Sequence, residues 1–115
     1  MFAFLMGLKA ISPRELLQRI EARQQPVTVI DVNSAQSWTR AHVPGALHLD
    51  PQAFGASDLP MDKQATVVFY CSNPLCRKAP SAARRAKQMG YADARVMSAG
   101  ISGWISDGLP TQGAE

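Results

Sequence analysis

Cys71 and Cys76 lie five positions apart and are followed at once by Arg77 and Lys78. A thiolate is the reactive form of cysteine, and nearby cations or a helix N-terminus favour it. Cys71 ends the apolar run Val67-Val68-Phe69-Tyr70, and the loop over residues 71–78 leads into a helix. Backbone N–H groups of such a loop, together with the helix start, can converge on an anion. The arrangement suits thiolate chemistry beside a bound anion. Ser72, Asn73, Leu75, Arg77 and Lys78 are the candidate donor-binding residues, whereas Pro74 supplies no N–H. The opposing reading makes Cys71 a small buried hydrophobe at a strand end. Cys76 has three readings. It is an incidental loop residue, a resolving thiol that closes a disulfide with Cys71, or the nucleophile itself, being nearer the helix.

Alternating strands and helices must position that loop. Ser12-Pro13-Arg14-Glu15 reads as a capping box with proline at the first helical position, and Leu16, Leu17 and Ile20 form its apolar stripe. Gln24-Gln25-Pro26 ends that helix, and the β-branched run Val27–Val32 makes a buried strand. Ser34 caps a short helix over 35–41, and a turn at Pro44-Gly45 leads into a brief strand over 46–49. Residues 50–64 read as loop, and 66–70 as the second strong strand. A helix follows over 80–89, with Pro80 at its start, Gly90 past its end, and Ala79, Ala82, Ala83, Ala86 and Met89 on one face. A strand over 95–98 and a helix over 101–107 complete the chain. This order predicts an α/β fold with a parallel sheet covered on both faces. Ligands bind such sheets beyond the carboxyl ends of the strands, where Asp31 and Cys71 both fall.

At 115 residues the chain suits one domain, and 46% apolar content excludes a disordered tail. Two cysteines cannot build a disulfide framework, and two histidines poorly complete a zinc site, so no metal or cofactor is expected. The net charge of +3 comes from one stretch: without Arg77, Lys78, Arg84, Arg85 and Lys87 it would be −2. Arg84 lies opposite the helix's apolar face, and Arg85 and Lys87 flank it as on any solvated helix. With no long basic run and few aromatics nearby, neither nucleic acid nor membrane is an expected partner. The apolar stretch over residues 1–8 is too short to span a bilayer, and a helix start follows where a cleavage site would be needed. A cytoplasmic location is expected, with part of that stretch serving as an edge strand or dimer contact. The sequence leaves the oligomeric state open.

Taken together, five motifs resemble a single-domain rhodanese. They are Val29-Ile30-Asp31-Val32, Ala41-His42-Val43-Pro44-Gly45-Ala46, Val67-Val68-Phe69-Tyr70-Cys71, Ala99-Gly100-Ile101-Ser102-Gly103-Trp104 and Gly108-Leu109-Pro110, in order across about residues 8–112. The resemblance implies a rhodanese-like domain over 1–115, with a three-layer α/β/α fold and a mostly parallel five-stranded sheet. It implies a sulfurtransferase. Cys71, at the family's nucleophile position, would take a sulfane sulfur from a donor such as thiosulfate and pass it from a persulfide to cyanide or a thiol. The partners are then a small sulfur-bearing anion and a thiol acceptor. Transfer onto a preformed thiolate needs no strong base. His42 is therefore read as tying the Pro44-Gly45 turn, Asp31 as orienting loops at the sheet edge, and Trp104 as a core anchor.

The chain departs from the family pattern at three places. Asn33 stands where the family usually has arginine, Ala41 where it usually has glycine, and the cysteine loop has Pro74 and Cys76 but no glycine. The stretch from Cys71 to Gly90 also looks about two residues longer than usual. These differences bear on donor preference and loop geometry. Cys71 and Arg77 also form a Cys-x5-Arg pattern resembling cysteine-dependent phosphatases and arsenate reductases, in which arginine clamps an oxyanion. On that reading Asp31 is the candidate general acid. A non-catalytic sulfur-carrier or binding module on the same fold is the remaining alternative.

Overall fold

The computed structural model describes residues 7–23 and 25–113. Among these residues five strands form one sheet: β1 (Lys9–Ala10), β2 (Val27–Asp31), β3 (Leu47–His48), β4 (Thr66–Tyr70) and β5 (Ala94–Val96). Their spatial order is β1-β5-β4-β2-β3, and every neighbouring pair is parallel. Among the described residues, α1 (Pro13–Ala22), α2 (Ala35–Arg40) and α3 (Lys78–Gln88) connect strands, and α4 (Gly100–Ser106) follows β5. A short 3-10 turn, Ala56–Asp58, interrupts the long connection between β3 and β4. The expected three-layer α/β architecture is therefore present.

The period-two alternation of β4 sorts the core. Val67, Phe69 and Cys71 face one cluster, with Ile30, Val96, Phe54, Tyr91 and the small face of α3. Val68 and Tyr70 face the other, with Val29, Met97, Leu16 of α1 and Ile101 and Trp104 of α4. Trp104 is fully buried and its indole N–H donates to the Pro110 carbonyl at 2.7 Å, as a core anchor should. All five residues of β4 are buried, the condition of a central parallel strand covered on both faces. Alanines at 79, 82, 83 and 86 let α3 lie close against β4 and β5.

Local signals explain the ends of the elements. Ser12 and Glu15 make both bonds of the capping box, at 3.1 and 2.9 Å, and Pro13 opens α1. That helix ends at Ala22, where Arg23 turns left-handed with φ of 55°. Ser34 caps α2 through the Ser37 amide. Helix α3 starts at Lys78, two residues before the expected Pro80. Proline fits inside the first turn because amides there have no intrahelical acceptor. The edge strand is Lys9–Ala10, just beyond the stretch expected to supply it, and residues 1–6 of that stretch lie outside the described residues.

Arg85 corrects the expectation of a wholly solvated basic face. Its guanidinium donates to the carbonyls of Pro51 and Phe54, at 2.9 and 3.0 Å, and lies 4.6 Å over the Phe54 ring. It fastens the connection after β3 onto α3, whereas Arg84 is exposed. Charge-assisted bonds of this kind contribute about 1–3 kcal/mol. Arg85→Ala is expected to lower urea stability by that amount, and Arg84→Ala to change it by less than about 0.5 kcal/mol. Equal effects of the two substitutions would contradict this assignment.

Candidate functional site

Strand register brings one row of residues to the carboxyl edge of the sheet. Asp31 pairs with Tyr70 on one side and with His48 on the other. Cys71 is the first residue past that row. Continuing the alternation of β4, its side chain packs in the cluster beneath α3 and is 3% exposed.

The chain at Cys71 and Ser72 is held from two directions. On one side the Cys71 carbonyl accepts from the Ile101 amide at 2.9 Å, and the Ser72 carbonyl accepts from the Ser102 amide at 3.0 Å. The first turn of α4 thus spends its free amides on the cysteine loop. This approach requires Gly100, whose φ is +68°. A Cβ there would fall 2.6 Å from the Ser72 carbonyl carbon and oxygen and 2.7 Å from the Asn73 nitrogen.

On the other side, the Ser72 hydroxyl donates to Asn33 Oδ1 at 2.8 Å. Asn33 is buried and itself held twice. Its amide donates to Asp31 Oδ1 at 2.7 Å, and its carbonyl accepts from His48 Nε2 at 2.7 Å. Asp31 has no exposed surface. Its Oδ1 holds the turn after β2 through that Asn33 amide. Burial first, and the neighbouring Asp31 carboxylate second, push the Tyr70 phenol far above its usual pKa. That hydroxyl accepts from the Val43 amide at 3.0 Å.

The loop itself folds around Asn73. Its Oδ1 accepts from the Leu75 amide at 2.9 Å, and its carbonyl accepts from the Cys76 amide at 3.1 Å. These two amides are spent within the loop, and Pro74 has none. Cys76 is bonded to Cys71 in a disulfide, with the two Cα atoms 6.4 Å apart. Beside the bridge, Asn73, Pro74, Ala79 and Met97 help line a cavity of about 10 Å³, the room of roughly one water. Leu75 is 82% exposed. Arg77 precedes α3 as its cap residue, and Lys78 lies in the first turn. Lys78 also borders a groove of about 370 Å³ with Asn33, His48, Asp50 and Gln52.

His42 acts elsewhere. Its ring stacks on Trp38 at 3.4 Å, its Nδ1 donates to the Trp38 carbonyl at 2.8 Å, and its backbone bridges to Gln112. Its ring holds the end of α2. The Pro44-Gly45 turn is tied instead by Gln112, whose Oε1 accepts from the Gly45 amide at 2.9 Å. Sequence reasoning missed the positioning roles of Asn33, His48 and Gly100. Asn33 carried a usable signal, a short polar side chain directly after the Asp31-Val32 strand end. Gly100 carried another, a glycine opening a helix.

Gly100→Ala combines a left-handed backbone with a backbone collision. It is expected to cost about 2 kcal/mol or more in urea stability. A loss below about 0.5 kcal/mol would show that the close approach is not required.

Comparison with known proteins bears on this arrangement. A family model described as the rhodanese-like domain matches residues 12–107. The thiosulfate sulfurtransferase GlpE of Actinobacillus succinogenes is 25% identical over 109 residues, covering 95% of each chain. Among solved structures, the BH2092 protein of Bacillus halodurans superposes with a TM-score of 0.83 at 22% identity, over 91% of this chain and 77% of its own. RPA3614 of Rhodopseudomonas palustris, described as a possible tyrosine phosphatase, superposes with a TM-score of 0.72 at 18% identity, over 92% and 86%. At such identities the structural likeness speaks for the fold alone.

Proposed function

The chain belongs to the rhodanese-like domain family, and from that premise we propose that it is a sulfurtransferase with Cys71 as its nucleophile. The observation that carries this is the seating of Cys71 directly beyond β4, its carbonyl held by α4, its neighbour Ser72 held by Asn33, and its side chain packed with Ala79 at the start of α3. In the reduced protein the Cys71 thiolate attacks the outer sulfur of thiosulfate. The new S–S bond leaves a persulfide on Cys71, and the old S–S bond breaks to release sulfite. The persulfide then yields its outer sulfur to cyanide or to a thiol acceptor. Arg77 and Lys78, next to Cys76 in the chain, offer positive charge to the anionic donor. Ser72, Asn73 and Leu75 shape the loop that the donor must enter, and Asp31 orients it through Asn33.

The Cys-x5-Arg pattern keeps a phosphatase in view, but the burial of Asp31 weighs against it. A carboxyl with no exposed surface, already accepting from the Asn33 amide, is poorly placed to protonate a leaving group.

Reduced protein given thiosulfate and cyanide is expected to form thiocyanate. Cys71→Ser should lower that rate by at least about a thousandfold, while Cys76→Ser retains it. If Cys76→Ser abolishes turnover and Cys71→Ser does not, the nucleophile is misassigned. Hydrolysis of a chromogenic phosphate ester, lost in Arg77→Ala, would favour the phosphatase. Ordinary slow alkylation of both thiols, with no transfer from any donor, would favour a non-catalytic module.

A further inference from the structure

The Cys71–Cys76 bridge gives the loop a second chemistry, which rests on the sulfur-transfer reading above. We propose that Cys76 resolves the Cys71 persulfide within the loop, releasing hydrosulfide, and that a dithiol reductant restores the pair. The chain would then reduce a sulfane sulfur to sulfide.

Three features of the loop support this. The Cα separation of 6.4 Å lies within the range that disulfides span, so the backbone already places Cys76 on the sulfur it must attack. Asn73 holds the Leu75 and Cys76 amides through its side chain and carbonyl, which fixes the turn that delivers Cys76. The attack is thereby intramolecular and preorganised, so Cys76 competes with external acceptors for the same persulfide. The bridged state also leaves a cavity of only about 10 Å³ beside Cys71, too small for thiosulfate. Reduction must therefore precede donor binding, which orders the cycle.

The step balances. The Cys76 thiol attacks Sγ of Cys71, forming the Cys71–Cys76 bond and breaking the bond to the outer sulfur. The outer sulfur leaves as hydrosulfide, taking the proton of Cys76. Two thiol sulfurs are oxidised and one sulfane sulfur is reduced. A dithiol then exchanges with the bridge, becoming a cyclic or protein disulfide and returning both thiols. A reductant would reach the bridge from the side of Cys76, which is half-buried, whereas Cys71 is buried.

The test is a single turnover. Full-length protein is reduced, freed of reductant under anaerobic conditions and mixed with one equivalent of thiosulfate. Hydrosulfide is measured with time, and the peptide containing both cysteines is mapped by mass. Wild type should release hydrosulfide at least about tenfold faster than Cys76→Ser and end as the Cys71–Cys76 disulfide. Cys76→Ser, and Cys76→Ala beside it, should keep one extra sulfur on Cys71. A wild-type persulfide as stable as that of Cys76→Ser would overturn resolution by Cys76 and leave the sulfurtransferase intact. No extra sulfur on either Cys76 variant, with no hydrosulfide from wild type, would instead overturn the sulfur-transfer reading itself.

Discussion

The Ile101 amide donating to the Cys71 carbonyl decides where β4 stops and where the cysteine loop begins. It can form only because Gly100 lacks a Cβ and takes a left-handed φ of +68°. Helix α4 therefore approaches the sheet edge closely enough to hold the backbone of Cys71 and Ser72. Asn33 holds Ser72 from the opposite side, through a chain of bonds that begins at the buried Asp31 carboxylate. Between these two anchors, the residue after the central strand has a fixed position. The side chain at 71 then follows from the two-residue period of β4 and points beneath α3.

Positive charge is shared between scaffold and site. Arg85 fastens the connection after β3 to α3, and Lys87 reaches the Gly7 carbonyl at 3.4 Å. Arg84 faces solvent, while Arg77 and Lys78 border the cysteine loop. A net charge that first suggested some anionic partner thus divides into structural, solvated and site-bordering parts. On the proposed sulfur-transfer reading, only the last bears on the donor.

The strand and helix order was legible in the sequence wherever one physical signal dominated. Val27–Asp31 and Thr66–Tyr70 are β-branched or aromatic runs long enough to name a buried strand, and Ser12 to Glu15 writes out a capping box. Cys71 stood out because it closes the second run. Less was legible where the deciding contact is long-range. Nothing near Arg85 in the chain announces the carbonyls of Pro51 and Phe54, and nothing near Asn33 announces Ser72. His42 read as a turn residue because Pro44 and Gly45 follow it, whereas its ring is held by Trp38 four residues back. The start of α3 moved to Lys78 because proline is tolerated at several first-turn positions, not at one.

A loop that seats Cys71 between α4 and Asn33 and binds it to Cys76 makes one claim above the others: Cys71 is the activated thiol. Reduced protein can be treated at neutral pH with a limiting alkylating reagent, and the labelled cysteine identified by peptide mapping. The account predicts that Cys71 is modified first, and faster than an unperturbed thiol of a short peptide. Preferential labelling of Cys76, or equal slow labelling of both, would contradict it.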